Sequence, residues 1–130
     1  MEEVYEFLKK CNTFYIATVD GDKPRVRPFG ALNIFEGKLY IETAKSKKVS
    51  KQMQINPNVE ICCCSGDRWL RLEGKVIRDD RYEAKQSMLD ANPVLKNLYS
   101  ASDDNTEVLY FENAKATFYA FNEEPRVVEF

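Results

Sequence analysis

Histidine is missing from this sequence altogether. That excludes Ser–His and Cys–His nucleophile systems, HExxH zinc sites and imidazole acid–base catalysis, so any chemistry must use another side chain or a cofactor. An excess of one charge is missing too: 19 Lys and Arg stand against 21 Asp and Glu, a formal net charge of -2. Nothing in that balance draws the whole molecule to nucleic acid or to an anionic membrane. No apolar run approaches the ~18 residues of a membrane span, and Met1-Glu2-Glu3-Val4 is acidic where a secretory leader is basic. Cysteine is confined to Cys11, Cys62, Cys63 and Cys64. Adjacent cysteines bridge only in distorted geometry, and a strand sends Cys63 to the face opposite Cys62 and Cys64, so the triplet cannot converge on a tetrahedral metal. The three read as small apolar fillers of a buried strand in a cytoplasmic protein. A redox role for Cys63 lacks a basic sequence neighbour to lower its pKa.

What is present suits one globular domain spanning residues 1–130: 44% apolar and 31% charged residues, with no repeat, linker or low-complexity tract. Val4, Phe7, Leu8 and Cys11 mark one face of a helix. Thr13–Val19 is β-branched and aromatic, and Asp20-Gly21-Asp22 turns the chain into a second strand, Arg25–Phe35. Glu36-Gly37 then leads to a third, Lys38–Thr43. Ser46 is placed to cap a helix that Asn56-Pro57 ends. Val59–Ser65 is continuously apolar, which predicts a central strand covered on both faces, and Arg68–Ile77 follows as another. Asp80-Arg81-Tyr82-Glu83 has capping-box spacing and opens a helix to Asn92. Val94–Tyr99 suggests further helical turns, Ser100–Asn105 a mobile loop, and Glu107–Glu112 with Lys115–Phe121 a hairpin around Asn113-Ala114. Six or seven strands joined mostly by tight turns predict a mainly β, α+β protein: an antiparallel barrel with helical crossovers.

Three segments carry chemistry. On the second strand Val26, Pro28, Gly30, Leu32 and Ile34 form an expected core face, leaving Arg25, Arg27 and Phe29 opposite. Two guanidiniums beside an aromatic ring suit a ligand, and equally an edge strand guarded against aggregation. Thr43-Ala44-Lys45-Ser46-Lys47-Lys48 places a hydroxyl and ammonium groups at a helix start, where free amides and the macrodipole favour an anion; a solvated basic loop is the plain alternative. In Arg68–Gly74, Leu70 and Leu72 mark the core face, so Trp69, Arg71 and Glu73 point away from it. An outward Trp beside an Arg suits an interface or a platform for a flat ligand, unless a helix covers it. Together the segments suit a ligand with a phosphate, a polar linker and a flat aromatic system.

With these motifs in their order the chain resembles the pyridoxamine 5'-phosphate oxidase-like family of FMN-binding split barrels. The matching stretches are Lys23–Phe29, Leu39–Thr43 with Lys47-Lys48, Asn56–Val59 and Trp69–Gly74, and the small stand-alone, nitroimidazole-reductase-like members are the most similar. The resemblance implies a split β-barrel and a homodimer with two FMN sites at the subunit interface. It places Arg25, Val26, Arg27, Pro28 and Phe29 along the isoalloxazine and ribityl chain. Glu42 is implied mainly through its backbone, Thr43, Lys48 and Lys47 at the phosphate, and Trp69 with Arg71 at the flavin of the other subunit. The Arg and His pair that holds the pyridoxal substrate in true pyridoxamine phosphate oxidases has no counterpart here, nor has the histidine of nitroimidazole reductases, so neither substrate carries over. The function implied is a flavin-dependent oxidoreductase acting with a small-molecule electron donor or acceptor. The alternative from another class is a non-catalytic FMN-binding or electron-carrier module, while a haem reading lacks an axial histidine.

Overall fold

Helix α1 (Glu2–Cys11) leads into β1 (Phe14–Asp20), β2 (Lys23–Phe29), β3 (Leu32–Phe35) and β4 (Lys38–Ala44). Helix α2 (Lys48–Ile55) separates these from β5 (Asn58–Ser65) and β6 (Arg68–Arg78). Helix α3 (Tyr82–Ala91), a 3-10 turn (Pro93–Asn97), β7 (Thr106–Ala120) and β8 (Arg126–Glu129) complete the chain. This is the course of the computed structural model, which describes residues 1–130. All eight strands belong to one antiparallel sheet in the order β2-β1-β5-β6-β7-β4-β3, with β8 added to β7.

The two edges of this sheet, β2 and β3, are consecutive in the chain and joined only by Gly30 and Ala31. That link spans at most about 11 Å between Phe29 and Leu32, so the sheet must roll until its edges approach, yet they share no ladder. The barrel is therefore split along one seam. The expected strand Arg25–Phe35 is broken at this point, and the break has a consequence for its expected core face. Leu32 is buried, but on β2 the expected faces are reversed: Arg27 and Phe29 pair with the core residues Ile16 and Phe14, while Val26 points to the outer face of the sheet and is 68% exposed.

Val4 and Leu8 of α1 enter the barrel and pack with Phe14, Ile16, Ile41, Ile61, Leu70, Leu72 and Leu109, all essentially without solvent contact. Burying each large side chain stabilises the fold by roughly 1.5–3 kcal/mol. Outside the barrel Ala84 and Met88 of α3 cover Tyr40 and Val108. The Tyr40 hydroxyl donates to Asp79 Oδ2 at 2.7 Å, and Arg81 bridges Asp79 to Glu36. The Arg81 guanidinium, working against burial, holds the Asp79 carboxyl down to about 2 with help from the Tyr40 hydroxyl.

Four further expectations need correction. Strand β5 is not covered on both faces: Cys63 is buried, Cys62 half-buried and Cys64 exposed, so only Cys63 is a core filler. Burial and a hydrogen bond with Cys11 push the Cys63 thiol far up, away from thiolate chemistry. Ser46 does not cap α2; Lys47 occupies the cap in an extended conformation without a side-chain bond, and the Ser46 amide is turned toward Asn105 Oδ1. Asp80 makes no capping box for α3, because Asp79 takes the Arg81 amide at 3.1 Å and Arg81 becomes the cap residue. Ser100–Asn105 is a polar turn, as its composition predicts, wound on Asp103, whose carboxylate accepts from the amides of Ser100, Asn105 and Thr106. Finally, Asn113-Ala114 makes no hairpin. The register between β6 and β7 shifts at Glu73/Lys75, Asn113 takes φ 54°, and β7 runs on as one 15-residue strand with a bulge. β8, which no sequence pattern announced, pairs along it.

Candidate functional site

Arg27 is the centre of the site. It projects from β2 toward α2, half-buried, and its guanidinium donates to Thr18 Oγ1 and Gln52 Oε1, both at 2.7 Å, and to the Ile16 carbonyl at 3.3 Å. Thr18 Oγ1 in turn donates to Gln52 Oε1 at 2.6 Å, closing a triangle. All three acceptors are neutral. Arg27 thus has its position fixed while its charge stays uncompensated, and burial followed by the charge of Arg25 lowers its affinity for the proton. Arg25 is different: exposed on the same strand, it is engaged by Asp20 at 2.9 Å.

Lys47 and Lys48 stand at the entrance of α2, whose first turn holds no acidic residue. Neither ammonium, nor Arg27, has a carboxylate within the 4 Å of an ion pair, although eleven such pairs occur elsewhere in the chain. Lysines at a helix start oppose the macrodipole, so an anion beside them is favoured. Two buried oxygens lie on β4, one on each face of the strand. Thr43 Oγ1 and Glu42 Oε1 are shut from solvent and have no hydrogen-bond partner in the chain. An unpaired buried polar group costs about 1–3 kcal/mol. Burial pushes the Glu42 carboxyl up to about 7, with Lys47 opposing and Asp103 adding to the shift.

These groups frame two adjoining cavities. One, of about 550 Å³, is lined by Arg27, Pro28, Phe29, Glu42, Thr43 and Lys47, and its far wall comes from the 3-10 turn and the residues after it. The other, of about 470 Å³, is lined by Arg25, Val26, Arg27, Lys47 and Lys48. They share Arg27, Lys47 and Val49, so they adjoin across these residues and together make up the groove of the site. Each is within the size range of small-molecule sites, about 300–1,000 Å³. Nine of the eleven sequence candidates therefore meet here. Trp69 and Arg71 do not. They lie on the outer face of β6, where Trp69 stacks on Tyr119 at 5.1 Å and Arg71 pairs with Glu60 at 2.5 Å.

Sequence reasoning missed the supports. Gln52 and Thr18 hold Arg27, and Gln52 had a signal, being the polar member of the stripe Val49, Gln52, Met53 that α2 buries. Val94, Leu95, Leu98 and Tyr99 wall the larger cavity, and Val94 and Leu98 remain 72% and 79% exposed at its mouth. Glu42, expected to act through its backbone, also brings a buried side chain to the cavity.

The family model described as pyridoxamine 5'-phosphate oxidase matches residues 1–120. This chain belongs to that family. It is similar in structure to a NimC/NimA family protein from Clostridium acetobutylicum, with TM-score 0.97 and 47% identity over 100% of this chain and 92% of that one. A pyridoxamine 5'-phosphate oxidase-related, FMN binding protein from Nostoc punctiforme PCC 73102 has TM-score 0.64 at 14% identity, over 99% and 94%. A heme binding protein from Mycobacterium smegmatis has TM-score 0.68 at 15% identity, over 94% of this chain and 57% of that one. The last two likenesses show the fold alone. No curated protein matches the sequence. The split barrel of mainly antiparallel strands with three helices is the fold of this family.

Proposed function

We propose that the groove binds FMN and that the protein is a flavin-dependent oxidoreductase for a small molecule. One observation carries the reading: three cations without carboxylate partners, Arg27, Lys47 and Lys48, line two adjoining cavities, the larger of which Thr43 also lines. A phosphorylated ligand supplies the charge and the acceptors these groups lack. Lys48, Lys47 and Thr43 would hold the phosphate at the start of α2, and Arg27, Pro28 and Phe29 would follow the rest of the molecule along the seam. Val94 and Leu98 offer apolar cover to a flat ring, which accounts for their exposure. Haem suits the site less, since the chain has no histidine to serve as an axial ligand.

Bound FMN supplies hydride or electron transfer. The chain's part is placement and charge: a guanidinium beside the ring stabilises negative charge that develops on it, and Arg27 is fixed for that role by Thr18 and Gln52. The protein works as a homodimer in this reading. Trp69, Tyr119 and Phe121 form an aromatic cluster on the outer face, with Phe121 70% exposed. Tyr15, Val26 and Val127 extend the apolar surface across the same sheet. A second copy on this face would cover it and bring Trp69 and Arg71 toward the partner's groove.

The test is spectroscopic. Purified protein reconstituted with FMN is expected to retain about one flavin per chain through gel filtration, with NADH or NADPH bleaching its visible band under anaerobic conditions and an acceptor restoring it. Lys48→Glu puts like charge beside the phosphate and should lose the flavin while leaving the far-ultraviolet circular dichroism unchanged. Stoichiometric FMN in that variant overturns the site. Flavin that binds but exchanges electrons with no small molecule leaves a carrier rather than an enzyme.

A further inference from the structure

Glu42 is buried to 9% exposure on β4, lines the larger cavity, and has no partner for Oε1. The charged and titratable groups that face it come from four elements. Lys47 stands at the entrance of α2 and Asp103 in the turn before β7. Arg27 of β2 and Tyr99, beyond the 3-10 turn, share the cavity wall. Asp103 cannot relieve Glu42 by taking a proton itself: burial opposes its ionisation, yet the amides of Thr106, Ser100 and Asn105 hold its carboxyl far below the ordinary range. Lys47 is therefore the charge that most directly favours an ionised Glu42. It is also one of the cations assigned above to the ligand's phosphate, so one ammonium faces two anions.

We infer that binding of a phosphorylated ligand in this groove is coupled to protonation of Glu42, so that the site takes up its ligand together with a proton. The inference rests on the FMN reading for its choice of ligand. Its physical basis is competition. An anion on Lys47 withdraws the attraction that keeps Glu42 charged and adds repulsion at short range, where water is excluded and charges interact strongly. The neutral carboxylic acid is then the stable form. The protonated carboxyl is then a donor where the carboxylate could only accept. Below about pH 6 Glu42 already carries its proton and nothing is exchanged. Above pH 7 the free protein holds a carboxylate, and each ligand bound draws up to about one proton from solvent.

Calorimetric titration of the intact protein with FMN at pH 8 in two buffers of unlike ionisation enthalpy measures that proton directly. At this pH the FMN phosphate has already lost its second proton, whose pKa is about 6. The expected result is net uptake, with affinity falling by up to about tenfold per pH unit above pH 8. Glu42→Gln should show no uptake, a flat affinity over the same range, and binding tighter than the parent at pH 9. Absence of uptake by the parent protein overturns the coupling, as does an equal pH slope in Glu42→Gln; the first result needs no variant to fold. Failure of FMN to bind either protein is a different outcome: it overturns the cofactor assignment, and this coupling with it.

Discussion

Glu42 and Arg27 illustrate how one buried charge can be held and another suppressed a few residues apart in space. Arg27 is desolvated but given three neutral acceptors, so it keeps its proton and its charge points at whatever enters the groove. Glu42 has no such support for its second oxygen, and burial pushes its carboxyl up to about 7. The consequence for stability without ligand has a definite sign. Between pH 4.5 and 7 the folded state binds more protons than the unfolded state, so Glu42 lowers stability as pH rises through that window and the loss levels off above it. Glu42→Gln removes the effect. Chemical denaturation should find the variant close to the parent at pH 4.5 and more stable at pH 8, by on the order of 3 kcal/mol. Equal stability at both pH values would show that Glu42 reaches solvent freely. Asp79 acts in the opposite sense: its depressed carboxyl contributes stability above pH 4 that is lost as pH falls toward about 2.

At the scale of elements, what could be read from the sequence was what depends on neighbours in the chain. The α1 stripe, the turn at Asp20-Gly21-Asp22 and the β3–β4 hairpin at Glu36-Gly37 all follow from spacing and turn chemistry. Most of the misread features depend on partners far along the chain. Asn113-Ala114 has turn composition, but the two residues oppose the single Gly74 of β6, so β7 carries the extra residue as a bulge with Asn113 left-handed, and the Phe130 carbonyl takes the Ala114 amide at 2.8 Å. Ser46 is a sound cap by type, but its amide turns to Asn105 far along the chain and Lys47 takes the cap; Asp80 is displaced locally, by the bond from the Arg81 amide to Asp79. For the site, the cation-bearing start of α2 was legible because a charge pattern is local, whereas Thr18, Gln52 and the wall from Val94 to Tyr99 are assembled by the roll of the sheet. The bulge itself can be tested. A Cβ on Gly74 would lie 3.1 Å from the Phe111 ring and 3.3 Å from Ala114 Cα, so Gly74→Ala must push β7 outward. We expect a loss of about 1–3 kcal/mol, read as a lower urea midpoint at unchanged slope. An unshifted midpoint would mean that β7 yields at no cost.

The whole molecule divides its surface between the helices and a face that none of them covers. Helices α1 and α2 close the inner side of the sheet, and α3 packs on β3 and β7. What remains is the outer side of β1, β5 and β6, and there the register aligns Tyr15 with Cys62 and Arg71, and Cys64 with Trp69 and Tyr119. Rows of this kind, with an aromatic cluster and a guanidinium, have the composition of an interface centre rather than of a solvated surface. If a second copy covers it, the two-fold axis puts each Trp69 beside the other chain's groove, and loss of Trp69 becomes a defect of the partner's site. Trp69→Ala and Lys48→Glu should each weaken FMN binding alone, the first because the partner's ring platform is gone, the second because the phosphate is repelled. Mixing the two variants then discriminates the geometry. In a mixed dimer one groove combines an intact Lys48 with an intact Trp69 from the other chain, and equal mixing should restore about a quarter of the wild-type sites at wild-type affinity. If Lys48 and Trp69 served the same chain's site, no combination would unite them, and fluorescence titration of the mixture would show no wild-type sites. A sedimentation profile of a monomer that still holds one FMN per chain would lead to the same conclusion, since the aromatic face would then have no part in the cofactor's site.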